Sequence, residues 1–199
     1  MVETLVAITI LGVIAIPLSG LLLDYFQSNG TTNGRLAETR DAQLTAAYFA
    51  QDVGSIGILD SATPPALTQS VETNVAYNAG LFPCGAAGTP NALIRLAWDD
   101  FSSAGAASTQ VRVAYVVRTV GSETQLHRLY CAGSATVVTD IVVAHKISTT
   151  SAPTVACSTA CTGSGTSVPQ SVTMTLTMDD PKSSAPPYTI TLTGQRRQT

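Results

Sequence analysis

The chain has 199 residues, of which 12% are charged, and its formal net charge is −3. That length holds one membrane segment and one ordinary domain, but not two large domains. Few lysines, abundant Thr, Ser, Ala and Val, 15 Gly and 10 Pro favour strands and polar loops over a helical bundle. The acidic balance makes nucleic-acid binding a minority interpretation, because phosphate backbones attract basic surfaces.

A long apolar segment opens the chain. Glu3 and Asp24 enclose 20 uncharged residues, 4–23, about the length of a helix that crosses a bilayer core. A cleaved signal peptide is disfavoured because nothing basic precedes the segment and the segment is too long. A buried core helix is disfavoured because the segment lacks a polar face. Residues 1–24 are therefore predicted to form a membrane anchor, with a kink at Pro17.

Residues 25–59 are predicted to form an amphipathic helix region. Tyr25 and Phe26 stand where aromatic side chains anchor at a membrane interface, and the following SNGTTNG predicts a pause in the helix. The helix resumes from Arg35 to Val53. Its predicted buried stripe is Leu36, Leu44, Ala47, Tyr48 and Val53, and its predicted polar face is Glu38, Asp41, Gln43 and Asp52.

Residues 60–199 are predicted to form a β-rich domain. The predicted strands are ALIRLAW, QVRVAYVVRT, TQLHRLYC, TVVTDIVVAHKI, SVTMTLTM and YTITLT. The last two alternate apolar residues with threonines, which predicts one buried face and one threonine-covered face. Regions 60–91 and 148–169 are predicted to be long loops. The expected fold class is α+β, with the amphipathic helix packed on an antiparallel sheet.

The four cysteines, Cys84, Cys131, Cys157 and Cys161, form an even set in a chain that enters a membrane, which favours two disulfides outside the cytoplasm. Three pairings exist, and spacing alone does not choose between them. We favour Cys84 with Cys131 and Cys157 with Cys161, because the second pair lies in a loop that can close on itself. Free thiols or a zinc site are less attractive, since the sequence has no Cys-x-x-Cys and neither histidine has ligand spacing to a cysteine.

Motifs for catalysis or cofactor binding are missing from the sequence. It contains no nucleophile elbow, zinc-protease motif, P-loop or dinucleotide fingerprint, and no cofactor is expected. The pairs Asp99–Asp100 and Asp179–Asp180 could bind calcium, but solvated turn residues are the better interpretation. Arg196 and Arg197 could meet DNA, but a soluble chain end is more common on an acidic protein.

The segment VETLVAITILGVIAI, followed by an amphipathic helix and a β-rich domain, resembles the type IV pilin and pseudopilin superfamily. The residues that match its N-terminal methylation motif are Val2, Glu3, Thr4, Leu5, Ile8, Leu11, Gly12, Val13 and Ile14. The rest of the chain resembles the minor-pilin branch that includes the PilW-type and GspJ-type proteins. Its cues are the helix ending near FAQDVGSIGI and the strands VAYVV, LHRLYC, SVTMTLTM and YTITLTGQRR.

The resemblance implies a pilin-like fold and a structural role without catalysis. Glu3 would dock onto the terminal amine of a neighbouring subunit, and the segment would lie first in the cytoplasmic membrane and later in a filament core. Its core residues would be Leu5, Ile8, Leu11, Val13, Ile14, Pro17 and Leu21. Expected partners are other major and minor pilins and, indirectly, an assembly platform protein and ATPase.

The family's basic leader, the glycine before the cleavage point and the usual Phe-Thr are absent before Val2. We expect a leader and about two mature residues upstream of Met1, which would make prepilin peptidase a further partner. The alternative is that Met1 is an initiator in a chain without a leader.

Three functions follow from these patterns. The leading one is a minor pilin or pseudopilin that initiates, caps or adapts the tip of a type IV pilus or a type II secretion-like filament. The second is a pilus-tip binding module for adhesion or DNA uptake, and the third is a membrane-anchored extracytoplasmic enzyme. The expected location is the cytoplasmic membrane, with a single pass and an extracytoplasmic domain, and a surface filament after assembly.

Overall fold

The computed structural model describes residues 2–61, 63–101, 107–163, 167–180 and 185–197, with only the backbone described for Leu5, Ile8, Leu23, Phe26 and Gln27. Met1, which bears on the leader, lies outside the described residues. The chain forms two compact units, residues 1–37 with 180–185 and residues 38–179 with 186–199. Every described strand lies in the second unit.

One helix, α1, runs from Val2 to Ser55 and contains Pro17. The predicted pause at SNGTTNG is wrong, because the helix continues through these residues. Each glycine there costs about 1 kcal/mol relative to alanine. An established helix tolerates this, since each further residue adds a hydrogen bond without a new nucleation step. The Thr32 hydroxyl also donates to the Ser28 carbonyl, 2.9 Å away, one turn earlier in the same helix. This hydrogen bond is compatible with the helical backbone.

Five antiparallel strands form the larger sheet, in the order β3-β4-β5-β6-β7. Their bounds are Val71–Val75 (β3), Ala92–Asp100 (β4), Thr109–Val120 (β5), Glu123–Ala132 (β6) and Val137–Ala144 (β7). The four longest confirm the strands predicted from the sequence to within about three residues at each end. Two short strands, β1 (Ile58–Leu59) and β2 (Leu67–Thr68), pair separately, so the region predicted as a loop from residue 60 contains β2 and β3.

A second sheet of three strands has the order β10-β9-β8, formed by Thr154–Cys157 (β8), Ser171–Met178 (β9) and Tyr188–Gln195 (β10). The predicted alternation is confirmed. Val172, Met174, Leu176 and Met178 are fully buried, while the threonines of β9 and β10 pair on the other face. The Thr177 and Thr189 hydroxyls lie 3.0 Å apart. The described residues therefore form two main sheets where one was predicted, and β8 lies within the second predicted loop.

The helix side that faces the sheets differs from the predicted stripe. Leu36 and Leu44 are 64% and 39% exposed, and Ala47 is also exposed, whereas Glu38 and Asp52 are 7% and 1% exposed. Val53 is buried as predicted. Buried residues of α1 that share one face are Glu38, Thr45, Phe49, Asp52 and Val53, since spacings of three, four and seven residues return to the same side of a helix. Buried Ile56 follows just after the helix ends.

Polar residues occupy this buried side because the sheets supply their partners. The Thr45 hydroxyl donates to the Val143 carbonyl of β7 at 2.8 Å. The Phe49 ring meets the Tyr115 ring of β5 edge to face, with centroids 5.8 Å apart. A buried polar group with a hydrogen-bond partner is stable in a core, while an unpaired one is costly. Hydrophobicity alone therefore identified buried Val53 and half-buried Tyr48, but it misplaced Leu36, Leu44 and Ala47. It also assigned the buried Glu38 and Asp52 to the exposed face.

Both sheets and the helix share one core. Phe49 and Val53 of α1, with Ile56 just after it, pack in one cluster with residues of both sheets. The sheet residues are Ile94, Leu96, Val113 and Tyr115 of the larger sheet and Met174, Leu176 and Met178 of the smaller one. The closest approach involves Gly194 of β10, where an added Cβ would overlap the Val53 side chain. Gly194 therefore permits β10 to lie against the helix.

We expect Gly194→Ala to lower the free energy of unfolding by about 1–3 kcal/mol, because fully buried Val53 has no room to retreat. Urea unfolding followed through the single tryptophan, Trp98, measures this change. Gly34→Ala is the control for a glycine with open space, since a Cβ there meets nothing within 4 Å, and this change inside the helix should not lower the free energy of unfolding. Equal stability of Gly194→Ala and the wild type would contradict the close packing.

Candidate functional site

The apolar segment, Val2–Leu22, is the first part of α1. It is long enough and apolar enough to cross a membrane, with a mean hydropathy of 2.5. At about 1.5 Å per residue its 21 residues extend about 30 Å, the thickness of a bilayer core. None of its described side chains is buried. A helix that is apolar on all sides needs an apolar environment, which the described part of this chain does not provide.

The residues predicted to form a filament core lie along this segment. Leu11, Val13, Ile14 and Leu21 are 53–73% exposed, and Pro17 stands inside the helix. Leu5 and Ile8 belong to the helix, but their side chains lie outside the described residues. The structure does not gather these residues into one patch. All described side chains from Val2 to Leu22 are exposed, not only these, as expected of a segment that contacts lipid or neighbouring helices on every side.

Polar side chains in the segment bond to their own helix. The Thr9 hydroxyl donates to the Val6 carbonyl at 2.8 Å, and the Ser19 hydroxyl donates to the Ala15 carbonyl at 2.9 Å. Both hydroxyls are thereby satisfied without water. Glu3, in the first turn, is the only charged residue of the segment, and its side chain is exposed. In hydrocarbon, an ionised carboxylate is costly unless an opposite charge balances it.

At the other end of α1, a buried ion pair joins the helix to the larger sheet. The Arg128 guanidinium donates from Nε to Asp52 Oδ2 at 2.7 Å and from Nη2 to Asp52 Oδ1 at 2.6 Å. The Tyr115 hydroxyl donates to Asp52 Oδ2 at 2.7 Å. The guanidinium also lies 4.9 Å from the Tyr48 ring and 5.6 Å from the Tyr130 ring. The bidentate geometry fixes both the rotation and the height of the helix on the sheet.

The electrostatics of this cluster follow from burial. Burial raises the pKa of Tyr115 well above its ordinary value, and the neighbouring Asp52 carboxylate raises it further. Burial by itself lowers the pKa of Arg128, but the hydrogen bonds and charge of Asp52 outweigh burial and raise this pKa overall. The cluster therefore consists of the uncharged Tyr115 phenol hydrogen-bonded to the Asp52–Arg128 ion pair. The sequence analysis missed it, although Phe49, Val53 and Ile56 share the spacing that places Asp52 on the buried face.

A second buried ion pair, between Arg95 and Glu72, lies on the face of the larger sheet opposite to α1 and contacts the loop that follows β3. Arg95 is fully buried, 3.4 Å from Glu72, and donates to the Ala79 carbonyl at 2.7 Å and to the Ala76 carbonyl. Glu72 accepts from the backbone amide of Leu81 at 2.5 Å. Burial lowers the pKa of Arg95, and Glu72 partly offsets this shift. Together the pair holds the chain that follows β3 against the sheet.

Both favoured disulfides are confirmed: Cys84 pairs with Cys131, and Cys157 pairs with Cys161. Cys84 and Cys131 are buried in a second apolar cluster, on the side of the larger sheet away from α1. This bridge ties the loop of residues 76–91 to β6.

The histidines form carboxylate pairs. His127 Nδ1 lies 2.7 Å from Asp140, which also accepts from Arg118 at 2.6 Å, and His145 Nδ1 lies 2.9 Å from Asp41. Among the described residues, no group of three or more His, Cys, Asp or Glu side chains is placed to hold a metal ion.

Of the calcium candidates, Asp99 uses its carboxylate in another contact, accepting from the Leu59 amide at 3.0 Å. Asp179 is held through its backbone, since its amide donates to the Lys146 carbonyl at 2.8 Å. The terminal arginines are also engaged through their backbone, since the Arg197 amide donates to the Gly54 carbonyl at 3.1 Å and the Arg196 amide donates to the Gln170 carbonyl at 2.9 Å.

Comparison of the chain with protein-family models, with curated proteins and with solved structures gives no match. Its function is therefore argued from its own residues.

We expect the stability of the wild type to fall above about pH 10, where the unfolded chain releases the Tyr115 proton that the folded chain retains. Because the pKa of Tyr115 is higher in the folded chain than in the unfolded chain, its contribution to stability is complete below about pH 10. That contribution is lost as the pH rises through the pKa of the folded chain. Tyr115→Phe should be less stable at pH 7 by about 1–1.5 kcal/mol and should lose less stability between about pH 9 and 11. Urea unfolding across this range measures both effects. Tyr25→Phe is the control, and a Tyr115→Phe curve parallel to the wild-type curve would contradict this role.

Removing the two disulfides should have unequal effects. In the chain-entropy account, a bridge between residues 47 apart stabilises by about 4 kcal/mol and one between residues 4 apart by about 2 kcal/mol. We therefore expect the double variant Cys84→Ala, Cys131→Ala to lose more unfolding free energy than Cys157→Ala, Cys161→Ala, as measured by urea unfolding without reductant. The two variants control each other, and the reverse order would contradict the account.

Proposed function

We propose that this chain is a minor pilin or pseudopilin, a structural subunit that initiates, caps or adapts the tip of a type IV pilus or a type II secretion-like filament. One observation carries the proposal. An apolar segment with no buried described side chain, and with a single carboxylate in its first turn, continues as the same helix into a disulfide-bonded β domain. The resemblance of VETLVAITILGVIAI to the pilin N-terminus agrees with it.

The position of Glu3 supports a docking role. An ionised carboxylate near hydrocarbon costs a few kcal/mol, less toward the ends of a membrane helix than at its centre. A terminal amine of a neighbouring subunit would share the same penalty, and the two charges would satisfy each other on contact. Because each subunit offers one such carboxylate, the contact would set the register of a subunit on its neighbour.

The apolar surface of the segment supports two successive environments. Before assembly, Leu11, Ile14 and Leu21 would contact lipid, and afterwards they would contact the same segments of other subunits. Lipid and a bundle of apolar helices are similar in polarity, so the transfer between them is nearly balanced in free energy. A modest input from an assembly ATPase and its platform protein would then suffice to move the subunit.

The anchoring of α1 to the β domain supports a load-bearing role. A force applied to the apolar segment passes along one continuous helix to the Asp52–Arg128 ion pair and to the Gly194–Val53 contact. Both contacts are buried, and a buried ion pair is screened by salt much less than an exposed one. The proposed role is structural and includes no catalytic step.

The proposed location is the cytoplasmic membrane, with the β domain on the extracytoplasmic side and in a surface filament after assembly. Two disulfides agree with an oxidising compartment. The proposed partners are other major and minor pilins, the assembly platform protein and ATPase indirectly, and prepilin peptidase if a leader lies upstream of Met1.

We expect Glu3→Ala and Glu3→Gln to abolish incorporation into filaments while the protein remains in the membrane fraction, because both changes remove the charge but keep the apolar segment. Immunoblots of sheared surface filaments and of membranes, in cells that otherwise lack this chain, measure the two pools. Asp24→Asn is the matched control, since it removes the carboxylate at the opposite end of the segment and should leave incorporation intact.

Normal incorporation of Glu3→Gln would contradict the docking role. Loss of Glu3→Ala from the membrane itself would show that the carboxylate serves insertion and not docking. A membrane-anchored enzyme would instead keep its activity in either variant, independent of filaments.

A further inference from the structure

A pocket of about 300 Å³ lies where the ends of three strands meet in the β domain. It is lined by Thr73 and Asn74 of β3, by Asn91 and Leu93 at the start of β4, and by Pro153 and Val155 at and before β8. The pocket therefore lies between the larger and the smaller sheet, at the point where the disulfide-bonded loop returns to β4. The sequence analysis gave no sign of it, because its walls come from three distant stretches.

Two strands depart from regular geometry at this pocket. β3 and β4 pair in one constant register, except that Asn74 and Leu93 do not pair with each other. Asn74 has a φ of 53°, in the left-handed region, and the register between β4 and β5 shifts between Ala92 and Ile94, which places a bulge at Leu93. Bulges and left-handed residues of this kind redirect side chains and concentrate at binding sites.

The redirected polar groups are two carboxamides. Asn91 Nδ2 lies 3.5 Å from Asn74 Oδ1, and both side chains are exposed at the pocket. A carboxamide offers both donors and an acceptor. Neighbouring hydroxyl groups on a ligand also offer both, so the pair suits a molecule with adjacent hydroxyls. The Thr73 hydroxyl adds a third such group.

The remaining walls are apolar, and the lining residues include no charged side chain. Leu93, Pro153 and Val155 can cover a C–H face of a ring, while the amides reach its hydroxyls. A charged ligand would lose hydration here without gaining an opposite charge, which is unfavourable. The volume stands at the small end of ligand sites, which suits one or two rings inside the pocket.

We propose that this pocket binds a single uncharged pyranose unit, either a free sugar or the terminal residue of a neutral glycan. Asn74 and Asn91 hydrogen-bond the ring hydroxyls, and the ring face packs on Leu93 and Pro153. The site gives the β domain a ligand of its own. It is independent of Glu3 and of filament assembly, so this proposal and the structural role can fail separately.

Saturation-transfer difference NMR on the full chain tests the proposal. The protein is held in a detergent without a sugar headgroup, because alkyl glycosides would compete for the pocket. The probes are free glucose, galactose, mannose and N-acetylglucosamine, their methyl α- and β-glycosides, the charged sugars glucuronate and glucose 6-phosphate, and an uncharged capped dipeptide. We expect transfer to at least one neutral sugar and none to the charged ones.

Two variants locate the binding. Asn74→Gly removes one amide but keeps the positive φ, and Asn91→Ala removes the other. Each should raise the dissociation constant about three- to tenfold, the effect of losing one neutral hydrogen bond. Asn29→Ala, an exposed asparagine on α1, is the matched control and should bind as the wild type does. Amide nitrogen–proton spectra confirm that each variant is folded.

Binding of a methyl glycoside that weakens in both variants supports recognition of a glycan end, and binding confined to free sugars supports recognition of a free sugar. The proposal is overturned if no neutral sugar binds, if a charged sugar binds as well as a neutral one, if only the dipeptide binds, or if both folded variants bind as tightly as the wild type.

Discussion

The ion pair between Asp52 and Arg128 decides which side of α1 meets the sheets, and the rest of the structure depends on that choice. Its oxygen–nitrogen distances of 2.6 and 2.7 Å leave the helix one rotation in which both charges are satisfied. In that rotation Phe49 and Val53 enter the shared core, and Gly194 allows β10 to approach. A rotation that turned Asp52 away from the sheet would leave the buried Arg128 guanidinium without its carboxylate.

In this rotation of α1, several apolar helix residues remain exposed to solvent. Leu44 and Ala47 lie on the side of α1 away from the buried face, and Leu36 is exposed further up the helix. The apolar segment from Val2 to Leu22 likewise has no buried described side chain. Exposed apolar surface on this scale indicates a lipid or protein partner. In the proposed filament, neighbouring helices would supply that cover, and the β domain would remain at the surface with its pocket accessible.

Much of the fold could be predicted from the sequence, because its signals are local. The alternation in SVTMTLTM defined β9 to the residue, and the cysteine count with one closable loop gave both disulfides. The buried side of α1 could not be predicted in this way, because Asp52 finds Arg128 76 residues later in the chain. The continuity of the helix through two glycines and the pocket at Asn74 also depend on context, since helix length and strand register decide them. Glu3 was found through a motif, and the described residues offer its carboxylate no charged partner.

The central claim is that this chain leaves the membrane as a filament subunit. Quantitative mass spectrometry of sheared surface filaments, compared with the membranes of the same cells, tests it most directly. The account predicts that peptides from the β domain occur in both fractions, at a small fraction of the abundance of the main filament protein, and that they leave the sheared fraction when the assembly ATPase is inactivated. Peptides confined to the membranes of cells that carry intact filaments would contradict the account.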